Sequence, residues 1–198
     1  MKRTIVIVDD EPITRMDTRE ILEANGYDVV GEASDGFEAI EVCKKYNPSL
    51  VLMDIDMPLL DGIKASKVLS NENLVGGIIL VTSFEGKIYI EMAKEVGAFG
   101  YIVKPINEKV FIPTVEMCLS KTEEFDKLKK DYDKINNKLN DRKLIEKAKG
   151  ILVKQLNLNE DEVYNRIRNL SMDRRTTMAE IAKIIIIAYE GNDDRSIM

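Results

Sequence analysis

The chain has 198 residues, 44% of them apolar, enough for one ordinary domain plus a small appendage, each with a core of its own. It contains no histidine, and its two cysteines, Cys43 and Cys118, stand singly in apolar-periodic stretches. This excludes histidine-based zinc sites, Ser-His and Cys-His nucleophile pairs and any phosphohistidine relay within the chain, and argues against a zinc knuckle or a disulfide framework. The net charge of −6 is unevenly spread: residues 1–120 carry twelve basic and twenty acidic side chains, and residues 121–198 carry seventeen and fifteen. An acidic front end therefore precedes a mildly basic tail.

Met1-Lys2-Arg3 leads into only a short apolar run before Asp9, which does not read as a signal peptide. The longest greasy run, Ile184 to Tyr189, is far below the roughly 20 residues of a membrane span. A soluble cytoplasmic protein without a membrane partner is the expectation.

Five short β-branched runs come first: Thr4 to Val8, Asp28 to Gly31, Leu50 to Met53, Gly77 to Val81 and Phe99 to Val103. Helical patterns separate them, such as Phe37, Ile40, Val42 and Cys43 opened by Asp35, and Ile88, Met92, Ala93 and Val96 closed by Gly97. Near-continuous apolar strands imply burial on both faces, hence a doubly wound α/β unit with a parallel sheet. From Asn107 onward no strand signal appears, and Phe111, Ile112, Val115 and Leu119 begin one long helix.

Phe125, Leu128, Tyr132, Ile135 and Leu139 follow at alternating three- and four-residue steps, a heptad seam of about two to three heptads that reads as a dimer-forming coiled coil or as a solvated amphipathic helix. The helix continues through Leu144, Ile145, Ala148, Ile151, Leu152 and Leu156. Asn159 with Glu162, and Thr177 with Glu180, form capping boxes for two further helices, one carrying Val163, Tyr164, Ile167 and Leu170, the other Met178, Ile181, Ile184, Ile185 and Ala188. The expected division is 1–120 for the α/β unit, 121–141 for the linker helix, 142–190 for a small three-helix bundle and 191–198 for a frayed polar tail.

Asp9 and Asp10 end the first strand, Asp54 the third, Thr82 the fourth and Lys104 the fifth. In a parallel sheet all these ends lie along one edge, where open α/β sheets bind ligands. Taken singly, Asp9 and Asp10 read equally well as helix caps and Lys104 as a surface lysine; their coincidence at the strand ends makes a site. Three converging carboxylates repel one another and suit a hard cation such as Mg²⁺. With charge on the transferring oxygens neutralised, a carboxylate can attack a phosphoryl donor. Asp54 is then the nucleophile, Asp10 and Asp54 bind the metal directly, Asp9 helps directly or through water, and the main-chain carbonyl of Asp56 adds an oxygen. Thr82 and Lys104 donate to the new phosphoryl oxygens. Asp56 and Phe84, two positions beyond Asp54 and Thr82, stand where side chains bear on an attacking water.

Through IVDDEP, LVLMDIDMPLLDG, ILVTSF and GAFGYIVKP, residues 1 to about 120 resemble the response-regulator receiver family. The resemblance implies a sheet in the order 2-1-3-4-5, a sensor histidine kinase as phosphoryl donor and a cis bond before Pro105. It further implies that Thr82 moves toward the phosphoryl group and Tyr101 turns inward, although Tyr101 reads equally as a half-buried strand aromatic.

The tail is then the output, and it lacks catalytic groupings, so it reads as a binding module. Lys143, Lys147, Gly150 and Lys154 fall at i, i+4, i+7 and i+11, one basic stripe that is either a ligand surface or a solvated lysine face. Gly150 inside a helix costs about 1 kcal/mol against alanine, which suggests close approach of a backbone or partner. Arg142, Lys149, Arg166, Arg168, Arg174 and Arg175 add charge nearby. The last helix, TTMAEIAKIIIIAYE, offers Lys183 and otherwise reads as core, unlike a DNA recognition helix. Contacts to phosphates and exposed bases of a structured RNA fit better. Residues from about Arg142 to Ile187, through RKLIEKAKGIL, NEDEVYNRIRNLSM and TTMAEIAKII, resemble the ANTAR family of RNA-binding antiterminators. The whole arrangement is similar to the ethanolamine-utilisation regulators of that family. It implies a homodimer, formed on phosphorylation, that binds tandem RNA hairpins and prevents a terminator from forming. A DNA-binding transcription factor and a protein-interaction adaptor under the same receiver control are the rival readings.

Overall fold

A computed structural model describes residues 3–83 and 86–190. Phe84 and the expected frayed tail, 191–198, lie outside the described residues. The chain divides into two compact units, residues 1–128 and 129–198.

The first unit is built from β1 (Thr4–Val8), α1 (Pro12–Ala24), β2 (Asp28–Ala33), α2 (Gly36–Tyr46), β3 (Leu50–Asp54), α3 (Gly62–Asn71), β4 (Ile78–Thr82), α4 (Lys87–Glu95) and β5 (Gly100–Val103), followed by the start of α5 (Glu108–Leu156). All strand pairs are parallel and the order is β2-β1-β3-β4-β5. Successive strand side chains point to opposite faces, and the core divides accordingly. Val6, Val8, Val51, Met53, Ile78 and Leu80 pack with Ala39, Cys43, Ala65, Leu69, Ala93 and Val96 of α2 to α4. Ile5, Ile7, Leu50, Leu52, Ile79 and Val81 pack on the other side with Leu22 of α1 and Phe111, Val115, Cys118 and Leu119 of α5. Every residue of β3 and β4 is buried, which is why these runs read as uniformly apolar.

Both patterned helices form, but not every apolar residue of the pattern faces the core. On α2 the buried residues are Gly36, Ala39 and Cys43, while Phe37 is exposed. On α4 Ala93 is buried and Val96 caps it from the core, whereas Ile88 and Met92 are exposed. In both helices the small residues face the sheet, because close packing there leaves little room between helix and strands. Asp35 caps α2 as expected, accepting from Phe37 N at 2.8 Å and Glu38 N at 3.0 Å.

In the second unit Ala148 and Leu152 of α5, Val163 and Ile167 of α6 (Glu160–Asp173), and Ile181, Ala182 and Ile186 of α7 (Met178–Glu190) make the core. Asn157 adopts a left-handed φ of 53° and its N–H bonds to Val153 O, which ends α5. The Asn159 capping box is complete, with Glu162 N on Asn159 Oδ1 at 2.8 Å and Asn159 N on Glu162 Oε2 at 3.1 Å. The second box is half made: Glu180 N donates to Thr177 Oγ1, but the Glu180 carboxylate turns to the Thr176 hydroxyl instead. The last helix also departs from an all-core reading. Lys183, Ile184, Ile187 and Ala188 are exposed, since a bundle this thin covers only one face of an apolar helix.

Candidate functional site

The C-terminal ends of β1, β3, β4 and β5 bring Asp9, Asp54, Thr82 and Lys104 to one edge of the sheet, with Asp10 exposed beside them. Asp9 is 3% exposed, Asp54 5% and Thr82 fully buried. Lys104 Nζ bridges the two buried carboxylates, 2.5 Å from Asp54 Oδ2 and 2.7 Å from Asp9 Oδ2. The peptide bond between Lys104 and Pro105 is cis, as the family resemblance implies. Asp54 Oδ1 accepts from Ile55 N at 2.6 Å and more weakly from Asp56 N at 3.4 Å, and Asp9 Oδ1 accepts from Glu11 N at 3.0 Å.

Burial drives the Asp54 carboxyl above its ordinary value; the hydrogen bond and charge of Lys104 pull against this, and the charge of Asp9 adds to it. Burial lowers the affinity of Lys104 for its proton, yet the hydrogen bonds and charges of Asp54 and Asp9 hold its ammonium above the usual lysine range. The site is short of positive charge. One carboxylate oxygen each from Asp9, Asp10 and Asp54 lies within 4.8 Å of the others, and the Lys104 ammonium is bonded to Asp9 and Asp54. All three side chains offer oxygen donors, and a hard divalent cation such as Mg²⁺ fits that donor set. Asp56, expected to contribute through its main-chain oxygen, is exposed in the loop after β3.

Several supporting residues are not evident from sequence spacing. Arg15 of α1 donates to the main-chain oxygen of Asp9 at 2.6 Å and pairs with Glu32 of β2 at 3.3 Å; Arg19 holds Glu32 from the other side at 2.5 Å. The only sequence signal is the i, i+4 repeat of Arg15 and Arg19 behind the acidic turn. Gly62, first residue of α3, lies so close to β3 that a Cβ would sit 1.8 Å from the Asp54 carbonyl oxygen. Tyr101 is half-buried on β5 and packs against the core layer shared with α3 and α4, the environment of a strand aromatic and also of a switch residue.

The seam residues Phe125, Leu128, Tyr132, Ile135 and Leu139 are all exposed on α5, and Phe125 stacks on Phe99 with ring centroids 5.5 Å apart. In the second unit Arg142, Lys143, Lys147, Lys154, Arg166, Arg168, Arg174 and Arg175 are exposed. Lys149 differs from them. Its side chain is only 15% exposed and pairs with Glu146 at 3.1 Å and with Glu160 of α6 at 2.9 Å, so it joins two helices. Gly150 is exposed, and a Cβ there would meet no atom within 4 Å, so packing inside the chain does not demand a glycine.

The response regulator receiver domain family matches residues 5–116, and the ANTAR domain family matches residues 133–186. The transcriptional regulatory protein PdtaR of Mycobacterium tuberculosis is 36% identical over 184 residues, covering 93% of this chain and 89% of that protein. A CheY-like response regulator receiver domain protein from Methanospirillum hungatei superposes with a TM-score of 0.58 at 26% identity, covering 63% of this chain and 98% of its own. The CheX-CheY-BeF3-Mg²⁺ complex of Borrelia burgdorferi superposes at 0.54 and 26% identity, covering 57% of this chain and 85% of that one.

Proposed function

The chain belongs to the response-regulator family, with a receiver domain followed by an ANTAR domain, and we propose that phosphorylation of Asp54 by a sensor histidine kinase promotes dimerisation and binding of tandem RNA hairpins, preventing transcription termination. The observation that carries this reading is the buried pair Asp9 and Asp54 bridged by one ammonium at the strand edge, in a chain whose later residues carry many exposed cations. Both domain families are regulatory rather than catalytic. Among the described residues no helix is long and apolar enough to cross a membrane.

Asp54 acts as the nucleophile. An oxygen of its carboxylate forms a bond to the phosphorus of a phosphohistidine, the P–N bond breaks, and the donor imidazole keeps the electron pair and takes up a proton. The carboxylates of Asp9, Asp10 and Asp54 with the main-chain oxygen of Asp56 would hold Mg²⁺, which when bound neutralises charge on the transferring oxygens. CheY of Borrelia burgdorferi, which shares the receiver fold, forms a complex with CheX, Mg²⁺ and BeF3. Lys104 leaves its bridge between Asp9 and Asp54 to pair with a phosphoryl oxygen, and Thr82 donates its hydroxyl to another. Tyr101 reports the change by turning inward. Pairing of α5 through Phe125, Leu128, Tyr132, Ile135 and Leu139 then presents two tails together. A hundredfold change in dimerisation requires only about 2.7 kcal/mol of differential stabilisation.

The test compares binding of beryllofluoride-treated protein to a tandem-hairpin leader RNA and to the same sequence as duplex DNA. Tighter binding to RNA, lost in Asp54→Asn, is expected. Preference for the duplex would favour a DNA-binding regulator, and binding to neither would favour a protein adaptor. Polar substitution of Leu128 and Ile135 is expected to remove phosphorylation-dependent dimers in sedimentation.

A further inference from the structure

The surface of the ANTAR unit carries a groove of about 700 Å³ between α6 and α7, lined by Leu170, Arg174, Thr176, Lys183, Ile184 and Ile185 among others. Its size falls within the roughly 300–1,000 Å³ typical of ligand pockets. The floor is apolar and open to water: Leu170 is 40% exposed and Ile184 62%, with Ile187, one turn further along α7, at 72%. Contiguous apolar exposure of this kind marks a contact surface.

Its charge selects the class of ligand. Arg174 after α6 and Lys183 of α7 belong to the lining, and Arg166 lies one turn before Leu170 on the row that ends at Arg174. Glu180 is the acid of the lining, and its carboxylate already accepts from the Thr176 hydroxyl. A ligand that fits has a flat apolar face with negative charge on both sides of it. An unstacked nucleobase between two phosphates has that form, because bases splayed from RNA loops stack on protein surfaces while cations take the backbone. Duplex DNA keeps its base faces stacked and presents only edges. A second copy of the same face would set four cations against two carboxylates.

We infer that this groove receives one unpaired base of a hairpin loop, with Leu170 and Ile184 against its face and Arg174 and Lys183 on the flanking phosphates. The inference rests on the RNA-binding reading and gives that reading a second surface, separate from the lysine stripe of α5. It accounts for the exposure of Ile184 and Ile187 on a helix whose other face is core.

The test uses full-length, beryllofluoride-treated protein and an RNA retained from a pool of tandem stem-loops with randomised loops. Ile184→Ser, at an exposed position, is expected to weaken binding about tenfold with an unchanged salt slope, as loss of one stacking contact should. Lys183→Ala is expected to lower the slope by about one. A single abasic loop position should weaken binding to the unsubstituted protein by a similar factor and add little to Ile184→Ser. Full affinity in Ile184→Ser, or abasic and protein losses that simply multiply, would overturn the groove while leaving RNA binding intact. Loss of dimers in Ile184→Ser would show a self-interface and overturn it equally. If the pool yields no retained RNA, the RNA-binding function fails first, and the groove with it.

Discussion

The two units hold their functional groups in opposite ways. In the receiver, Asp9, Asp54 and Thr82 are buried, and Lys104 is bonded to two carboxylates at once, so the protonation of Asp54 and of Lys104 depends on their neighbours. In the ANTAR unit most of the cations named above are exposed, and Lys149 is tied into an ion pair that joins α5 to α6. The first arrangement acts as one coupled electrostatic object. The second acts as a sum of separate contacts. The proposed switch needs the coupling, because in that reading a single phosphoryl group alters several residues together. A surface that follows a long polyanion gains affinity by addition.

Gly62 is the position with the largest expected effect. A side chain there would collide with the Asp54 carbonyl oxygen, which lies 1.8 Å from the ideal Cβ, and a backbone oxygen cannot swing aside as a flexible side chain does. Gly62→Val is expected to cost about 3 kcal/mol or more and to abolish phosphorylation. Urea denaturation with Mg²⁺-dependent uptake from acetyl phosphate measures both. Normal phosphorylation in that variant would mean that the site tolerates displacement and is less tightly coupled than its geometry implies.

Lys104→Met comes next. It leaves Asp9 and Asp54 together without their ammonium, and about 2 kcal/mol of metal-free stability should be lost, below the cost of a fully buried pair because the pocket opens to water. The pH dependence has a definite sign. With its carboxyl raised, Asp54 contributes stability when protonated, and that contribution is lost as pH rises from the ordinary carboxylate range through the raised value. Asp54→Asn should therefore be more stable than the unsubstituted protein at neutral pH. It should also lack the decline above about pH 4 that this group produces. In Lys104→Met the decline moves to higher pH, since the principal downward pull on Asp54 has gone. Urea midpoints measured across pH for the single and double variants would show non-additivity; simple additivity would contradict a coupled site.

Much of the receiver was legible because its constraints coincide. Uniformly apolar runs mark strands buried on both faces, parallel strands put their ends on one edge, and three acids with a lysine on that edge leave few readings. The inner faces of helices were harder to read. Phe37, Ile88 and Ile184 look like core by composition and are exposed, because the nearest helix or strand decides which side is covered. The Arg15–Glu32–Arg19 cluster and the approach of Gly62 to Asp54 join distant stretches of chain, so no local pattern announces them. In the tail, spacing placed Lys149 beside the other cations, yet only the fold brings Glu160 to it.

A smaller effect is expected at the capping box of α6. Asn159→Ala removes the side-chain acceptor for Glu162 N, while the main-chain N–H of residue 159 can still donate to the Glu162 carboxylate, and a loss of about 1 kcal/mol is expected. Because the residue belongs to the ANTAR unit, Mg²⁺-dependent phosphorylation of Asp54 should be unchanged. Helix content followed by circular dichroism through urea, together with phosphoryl uptake, separates the two responses.

The smallest effect per residue belongs to the lysine stripe, where additivity can be tested directly. Lys143 and Lys154 are exposed on the same face of α5, and each should contribute about one phosphate contact. Lys143→Ala and Lys154→Ala should each reduce the salt slope of RNA binding by about one, and the double variant by the sum. Lys149→Ala is the control within the same helix: its ammonium is held by Glu146 and Glu160, so the slope should stay put while the α5–α6 contact loosens. If Lys149→Ala flattens the slope as much as the exposed lysines do, its ion pairs must open to meet RNA. The tail would then be a coupled device like the receiver, and the contrast between the two units would fail.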